Sequence, residues 1–290
     1  RKDGSSRFGK ANRYGVFPAF SAGWVLSKED FLSSSNVISL LKLRASWGKT
    51  GNAEIGNFAS RDLWNAASYK QLPAIEPAQP ESPNLTWEKS SQTDIGLDFG
   101  VFNNRVSGEI DFYNKKTNGL LFYQNIPYTS GYSNIYRNIG DMKNTGFEMV
   151  INTQNIKKDN FTWDTNFNVA KNNNEITALP DDNRDQIIGN VIRRVGERLD
   201  SFYLVEYAGV DPNNGDALFY KNTLNPDGTL DKTKTNDYSE AQRIIAGSST
   251  PDWIAGLTNT VEYKNFDFSF TFYGEFGGNL YNSGGKFMST

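Results

Sequence analysis

The sequence predicts an all-β protein, an antiparallel up-and-down transmembrane β-barrel, here a partial barrel of about eight strands with long extracellular loops. Three observations predict it. Apolar and polar side chains alternate over runs long enough to cross a bilayer as tilted strands. Tight and long connections alternate strictly along the chain, which gathers the short turns at one end of an up-and-down sheet and the long loops at the other. The apolar faces carry bulky residues at nearly every register, and aromatic residues (Trp24, Trp47, Trp253, Tyr263) cluster near strand ends as membrane-interface belts do. Periodicity alone fits a soluble β-sandwich equally well, with the apolar face buried instead of turned to lipid. The second and third observations favour the barrel.

Tyr14 to Val25 reads as the first strand, with Val16, Pro18, Phe20, Ala22 and Trp24 on one face and Gly15, Phe17, Ala19, Ser21 and Gly23 on the other. Pro18 is its weak point, because proline removes a ladder donor. Ser27 to Phe31 has the pattern of an N-capped helical turn. From Leu40 to Trp47, Leu41, Leu43, Ala45 and Trp47 oppose Lys42, Arg44 and Ser46. Ala53 to Leu85 has no steady period, and Pro73, Pro77, Pro80 and Pro83 mark most of it as long irregular loop.

Thr93 to Tyr113 is the clearest hairpin. Ile95, Leu97, Phe99 and Val101 alternate with polar or small residues, Asn103-Asn104 turns the chain, and alternation resumes from Arg105. Asparagine suits such a turn because it tolerates positive φ. Thr117 to Lys143 is loop-like. A second hairpin sets Phe147, Met149 and Ile151 before the polar turn Lys157-Lys158-Asp159-Asn160, then Phe161, Trp163, Thr165, Phe167 and Val169. Asn172 to Thr250 is the longest excursion, with short strands predicted around Phe202–Tyr207 and Ala217–Tyr220. A third hairpin turns at Lys264-Asn265 between Trp253–Tyr263 and the run Phe266, Phe268, Phe270, Phe272.

Composition removes whole classes of function. The 290 residues contain no cysteine and no histidine, which excludes thiol nucleophiles, disulfides, histidine-dependent triads and the usual zinc sites. With 30 basic and 33 acidic residues and no Lys/Arg-rich block, nucleic acid is not an expected partner. Gly48-Lys49-Thr50 lacks the upstream glycine spacing of a phosphate loop. Asp211 to Asp216 does not follow calcium-loop spacing and reads as a Pro-Asn-Asn-Gly turn. No cofactor, metal or catalytic constellation is predicted, so the chain is not expected to be an enzyme. No apolar run has the length of a membrane helix; negative mean hydropathy is no objection to a barrel, in which only every second strand residue meets lipid.

Several motifs occur together and in order: Phe17-Pro18-Ala19-Phe20-Ser21-Ala22-Gly23-Trp24, Leu41 to Asn52 (LKLRASWGKTGN), Asn84 to Ser90 (NLTWEKS), Asn138 to Glu148 (NIGDMKNTGFE), Val195-Gly196-Glu197 with Ser201-Phe202-Tyr203, and Gly209-Val210-Asp211-Pro212. Through them nearly the whole chain resembles the barrel of the SusC/RagA-type TonB-dependent outer-membrane transporters. The resemblance implies residence in the outer membrane of a Bacteroidetes-like Gram-negative bacterium. It also implies active import of oligosaccharides or peptides, a SusD-like surface lipoprotein as lid, and energy from the TonB complex acting through regions not in this sequence. Residues 1–290 are then expected to be part of a TonB-dependent receptor barrel domain, without the plug and without the strands that would follow Thr290. The alternative is a soluble β-rich surface binding module or adhesin with Phe266, Phe268, Phe270 and Phe272 as its core.

Two groups of site residues follow. Glu109, Asp111, Tyr113, Glu148 and Asp267 fall on polar strand faces and are expected to line the lumen. Paired carboxylates also suit glycoside hydrolysis, but a hydrated wall explains them more simply. The loop aromatics Trp64, Tyr69, Tyr123, Tyr128, Tyr132 and Tyr136 are candidates for contact with cargo or lid, since aromatic planes stack on sugar rings and are enriched in interfaces.

Overall fold

The structure, a computed structural model, describes residues 1–284. Whatever follows Thr290 lies outside it. Its frame is one eight-stranded antiparallel sheet: β1 (Ala19–Val25), β2 (Ile38–Asn52), β3 (Glu88–Val101), β4 (Val106–Asn118), β5 (Asp141–Lys158), β6 (Phe161–Ala178), β7 (Trp253–Tyr263) and β8 (Phe266–Phe276). Each strand pairs with its neighbours in sequence, so the sheet is an up-and-down meander. Its edges, β1 and β8, are not paired with each other, so these strands form an open sector rather than a closed barrel.

The connections separate as predicted, except that the first at the short-turn end, 26–37, is twelve residues long. Residues 26–37, 102–105, 159–160 and 264–265 join strands at one end, and 53–87, 119–140 and 179–252 at the other. The β3–β4 turn holds Phe102, Asn103 and Asn104 in succession at φ of 54°, 55° and 61°, and Ser39 Oγ accepts from the Asn104 N–H at 3.2 Å. The 26–37 connection does contain helical turns, at Leu26–Lys28 and Asp30–Ser33, but neither has a side-chain N-cap.

Three expectations are corrected. The first strand is broken: Tyr14–Val16 pairs with Lys2–Gly4, and β1 begins only after Pro18. Phe17 leaves the strand face and is buried, 5% exposed, while the Pro18 carbonyl accepts from Lys49 N–H at 2.8 Å. The proline thus ends one ladder and starts another, as its missing donor requires. Second, residues 53–85 are not irregular throughout. Leu63–Tyr69 and Leu72–Gln79 form a hairpin with Pro73 and Pro77 inside it; a two-stranded ribbon is all edge, so prolines are tolerated there. Third, β5 and β6 have 18 residues each, well beyond the runs that alternate in sequence.

The water-excluded core lies at the loop end, not between sheets. Phe8, Phe17, Ile55, Ala59, Leu85 and Trp87 form one cluster, with Phe8 and Phe17 rings each 5.4 Å from Trp87. The Phe17 ring lies over Gly51 of β2, where a β-carbon would collide with it. Asn138 ties the next loop to this cluster. Its side chain accepts from Thr86 N–H at 2.7 Å and donates to the carbonyls of Thr86 and Gly119 at 2.8 and 2.9 Å. Further on, Gly196 N–H donates to the Ile176 carbonyl and Ile176 N–H to that of Glu197, both at 2.9 Å. Phe17, Gly51, Leu85, Thr86, Trp87, Asn138, Gly196 and Glu197 of the motifs are therefore fastenings of the loop end, whereas 19–24, 41–48 and 141–148 belong to strands of the sheet.

Candidate functional site: a wall with two faces

Strand alternation assigns every side chain of the sheet to one of two faces. Cross-strand register makes each face continuous. On the first, Leu43, Leu97, Ile110, Met149, Val169 and Ala255 form one row, and Phe99, Ile151, Phe167, Leu257 and Phe272 belong to the next. No second layer covers this face among the described residues: Phe112 is 59% exposed, Phe272 64% and Phe268 62%. A sandwich would bury these side chains, so the soluble-core arrangement of the β8 phenylalanines is not what forms.

Aromatic residues bound this face above and below. Toward the loops, Phe112, Phe147 and Trp253 form a chain with centroids 6.0 and 5.6 Å apart. Toward the turns Phe161, Tyr263 and Phe266 stand in register, with Trp163 two residues inward from Phe161. The eight residue steps from Trp163 to Lys171, level with Phe147, span about 27 Å along β6 and about 20 Å in height at a barrel strand's tilt, close to the apolar band of outer-membrane barrels.

The opposite face is polar and internally bonded. Arg44 Nε donates to Asp98 Oδ1 at 2.5 Å and Nη2 to Asp111 Oδ2 at 2.9 Å, with Glu109 Oε2 3.6 Å away. Lys42 Nζ reaches Asp98 Oδ2 at 3.0 Å. Gly96 stands in register between Arg44 and Asp111, where a β-carbon would sit 2.9 Å from Arg44 Cζ; glycine lets the guanidinium lie across an intervening strand. Tyr113 repeats the device, lying over Gly146 to donate its hydroxyl to Asn172 Oδ1 at 3.0 Å. Beyond β5 amides and hydroxyls predominate, with the acids Asp164, Glu262, Asp267 and Glu275 among them. Asn166 Nδ2 donates to Asn152 Oδ1 at 2.6 Å, and Thr258 and Thr271 hydroxyls meet at 2.9 Å.

The five predicted lumen residues all lie on this polar face, in two places. Glu109, Asp111, Tyr113 and Glu148 are close neighbours: Asp111 pairs in register with Glu148, and a cavity of about 430 Å³ is lined by Asp111, Tyr113 and Glu148 with Arg44, Asp94 and Lys115. Asp267 is remote from them, paired with Glu262 beside the last turn. Lys42, Arg44 and Asp98 were missed as a unit. The available signal was the alternation of Lys42 and Arg44 with leucines, opposite aspartates on the next strand.

The loop aromatics divide too. Trp64 Nε1 and Tyr132 Oη both donate to Asp62, at 3.1 Å each. Desolvation and this hydrogen bond hold the Tyr132 phenol above its ordinary pKa. Tyr123 and Tyr136 rings stand 4.6 Å apart, and Tyr136 packs on the loop-end core. Tyr69, at the tip of its hairpin, and Tyr128, 83% exposed, join neither pair. The 211–216 segment is a closed turn, with Gly215 N–H donating to the Asp211 carbonyl and Asn213 N–H to Asp211 Oδ1. No cluster of three metal-ligating side chains occurs among the described residues.

Known proteins share this sequence and fold. The family model described as "TonB dependent receptor-like, beta-barrel" matches residues 1–289. TonB-dependent receptor P3 of Formosa agariphila is 37% identical over 97% of the chain and 30% of its own length. TonB-dependent receptor SusC of Bacteroides thetaiotaomicron is 38% identical over 93% of the chain and 28% of its own. Among solved structures, the RagAB peptide transporter superposes with a TM-score of 0.87 at 33% identity, covering 95% of this chain and 31% of that one. The chain thus spans about a third or less of the length of the relatives it matches, which are named as receptors and transporters rather than enzymes. It belongs to the TonB-dependent receptor β-barrel family of Gram-negative outer membranes, and to its SusC/RagA type.

Proposed function

We propose that these strands form one sector of the wall of a SusC-like outer-membrane importer, with their apolar face against lipid and their polar face toward an aqueous lumen. The observation that carries this reading is the exposed apolar face, bounded by two aromatic belts, backed by a polar face on which Lys42 and Arg44 pair with Asp98 and Asp111. In lipid an unpaired strand edge is costly, so β1 and β8 require further strands, and residues 1–290 serve as part of a larger barrel domain that also accommodates a plug. The cargo is an oligosaccharide or a peptide, passed under a SusD-like lipoprotein and driven by the TonB complex. Relatives named SusC and RagAB peptide transporter support this reading.

Glu109, Asp111, Tyr113 and Glu148 then line the lumen, and Asp267 lines its turn-end rim. The Trp64–Tyr132 and Tyr123–Tyr136 pairs, with Tyr69 and Tyr128, face cargo or lid from the loop end. The test is uptake by cells whose own copy is deleted and replaced by the intact protein. Fluorescent peptides or oligosaccharides are expected to enter only when TonB is present, and a surface lipoprotein is expected to co-purify. Surface-located protein with no TonB-dependent uptake of either class would contradict the reading.

A further inference from the structure

The apolar face does not stay apolar up to the loops. Two residues along each strand from the Phe112–Phe147 row lie Thr93, Asn114, Thr145 and Asn173; two further on, Lys49, Ser91, Lys116, Lys143 and Glu175 form a single cross-strand row. Lys49, Lys116 and Lys143 therefore project from β2, β4 and β5 on the side that carries Phe112 and Phe147. Lys89 of β3 stands one row higher, paired with Gly51. Lys171 stands in the aromatic row itself, its Nζ 4.9 Å from the Trp253 ring centroid. Lys49 likewise approaches Trp47 at 5.8 Å.

None of these five ammonium groups is in an ion pair among the described residues, although other lysines are: Lys42, Lys221 and Lys232 each hold a carboxylate. Glu175 is the one acid in the row and Asp141 the one in the row of Lys89, so five lysines against two acids leave a net positive belt. Four residue steps of strand separate the aromatic row from the lysine row, about 13 Å along a strand and about 10 Å in height at a barrel tilt. That is where apolar chains end and headgroups begin.

We propose that Lys49, Lys89, Lys116, Lys143 and Lys171 form a docking belt for the phosphate groups of anionic lipid headgroups in the leaflet around the loop end. The chemistry is direct: ammonium groups near a lipid surface attract its anions, and long lysine stems cover apolar surface while their heads reach the polar layer. The belt fixes the height of the barrel in the leaflet and surrounds the lumen's loop end with bound lipid. This rests on the lipid-facing reading of the apolar face given above.

The test is native mass spectrometry of the intact protein taken from outer membranes, counting retained phosphorylated lipid. Added phosphatidylglycerol and phosphatidylcholine serve as defined probes. The variant K49Q/K116Q/K143Q is expected to bind the anionic probe about fivefold more weakly per lysine removed, with no change for phosphatidylcholine. The K49R/K116R/K143R variant is expected to retain binding, and so is K158Q/K264Q at the turn end. Equal lipid retention by wild type and the glutamine variant overturns the proposal. So does an equal loss in the turn-end variant, or displacement of the lipid by millimolar inorganic phosphate. Lipid-phase labelling of Met149 is expected in every variant; its loss would instead overturn the barrel orientation.

Discussion

Phe17 and Phe112 are the same residue type in two regions that use it in opposite ways. Phe17 is 5% exposed at the loop end, wedged between Trp87 and Gly51. Phe112 is 59% exposed on the strand wall, touching Phe147 and otherwise open to whatever surrounds the sheet. The loop end is stabilised as a soluble protein is, by excluding water from a packed cluster. The wall is held by its hydrogen-bonded ladders, and its apolar side chains select the solvent in which those ladders can stand. One chain therefore carries two cores: one made by its own side chains, one completed by lipid.

The comparison can be broken most decisively at Trp87. Trp87→Ala removes the ring against which both Phe8 and Phe17 pack, and is expected to destabilise the intact protein by about 3–5 kcal/mol. Phe112→Ala in the same detergent-solubilised protein is expected to cost far less, because lipid or detergent fills the space it leaves. Equal losses in denaturant titration would erase the distinction between the two regions. On the wall, polarity should matter more than volume. Met149→Arg, in the middle of the apolar band, is expected to cost about 2–4 kcal/mol, whereas Asn168→Arg on the polar face is expected to be tolerated.

Smaller effects sharpen the account of the loop end. Asn138→Ala leaves the Thr86 amide and carbonyl and the Gly119 carbonyl without their partner, an expected loss of about 1–3 kcal/mol. Limited proteolysis at 119–140 should report it before global unfolding does. The smallest effect belongs to the 179–252 excursion. Lys232, hydrogen-bonded to Glu206, holds that carboxylate below its ordinary pKa. A depressed folded-state value means the contribution is complete above the unfolded pKa and is lost as pH falls through the folded one. Relative to the intrinsic exchange rate, amide protection in 201–245 is therefore expected to fall on acidification below about pH 4, and Glu206→Gln should remove the share owed to Glu206 while leaving that of Asp227, Asp231, Asp237 and Glu240, which are also held below their ordinary pKa.

These same two regions explain what the sequence could reveal. The wall was legible because a lipid-facing strand needs an apolar residue at every second position, so Thr93–Tyr113 and Phe161–Val169 declare themselves locally. The extensions of β5 and β6 were not, because Asp141 to Thr145 and Asn172 to Glu175 have left the apolar band and carry polar residues on both faces. The loop-end core was illegible for another reason. Phe8, Phe17, Ile55, Leu85 and Trp87 come from separate segments and share no period, so only tertiary contact unites them. The Leu63–Gln79 hairpin was hidden by Pro73 and Pro77, which read as loop until both of its edges are known to be free. Of the site residues, alternation alone sufficed to put Glu109, Asp111, Tyr113 and Glu148 on one face. It could not find the bridge from Arg44 over Gly96 to Asp111, which depends on three strands in register.

The most direct measurement is thiol labelling of the intact protein in outer membranes, with single cysteines at Met149 and Phe167 on one face and Asn152 and Asn168 on the other. These 290 residues contain no cysteine of their own. The account predicts that a membrane-dissolved reagent modifies 149 and 167, while 152 and 168 react only with a water-soluble one. Reaction of 149 and 167 from water, or their protection from both reagents, would contradict the claim that lipid completes the apolar face.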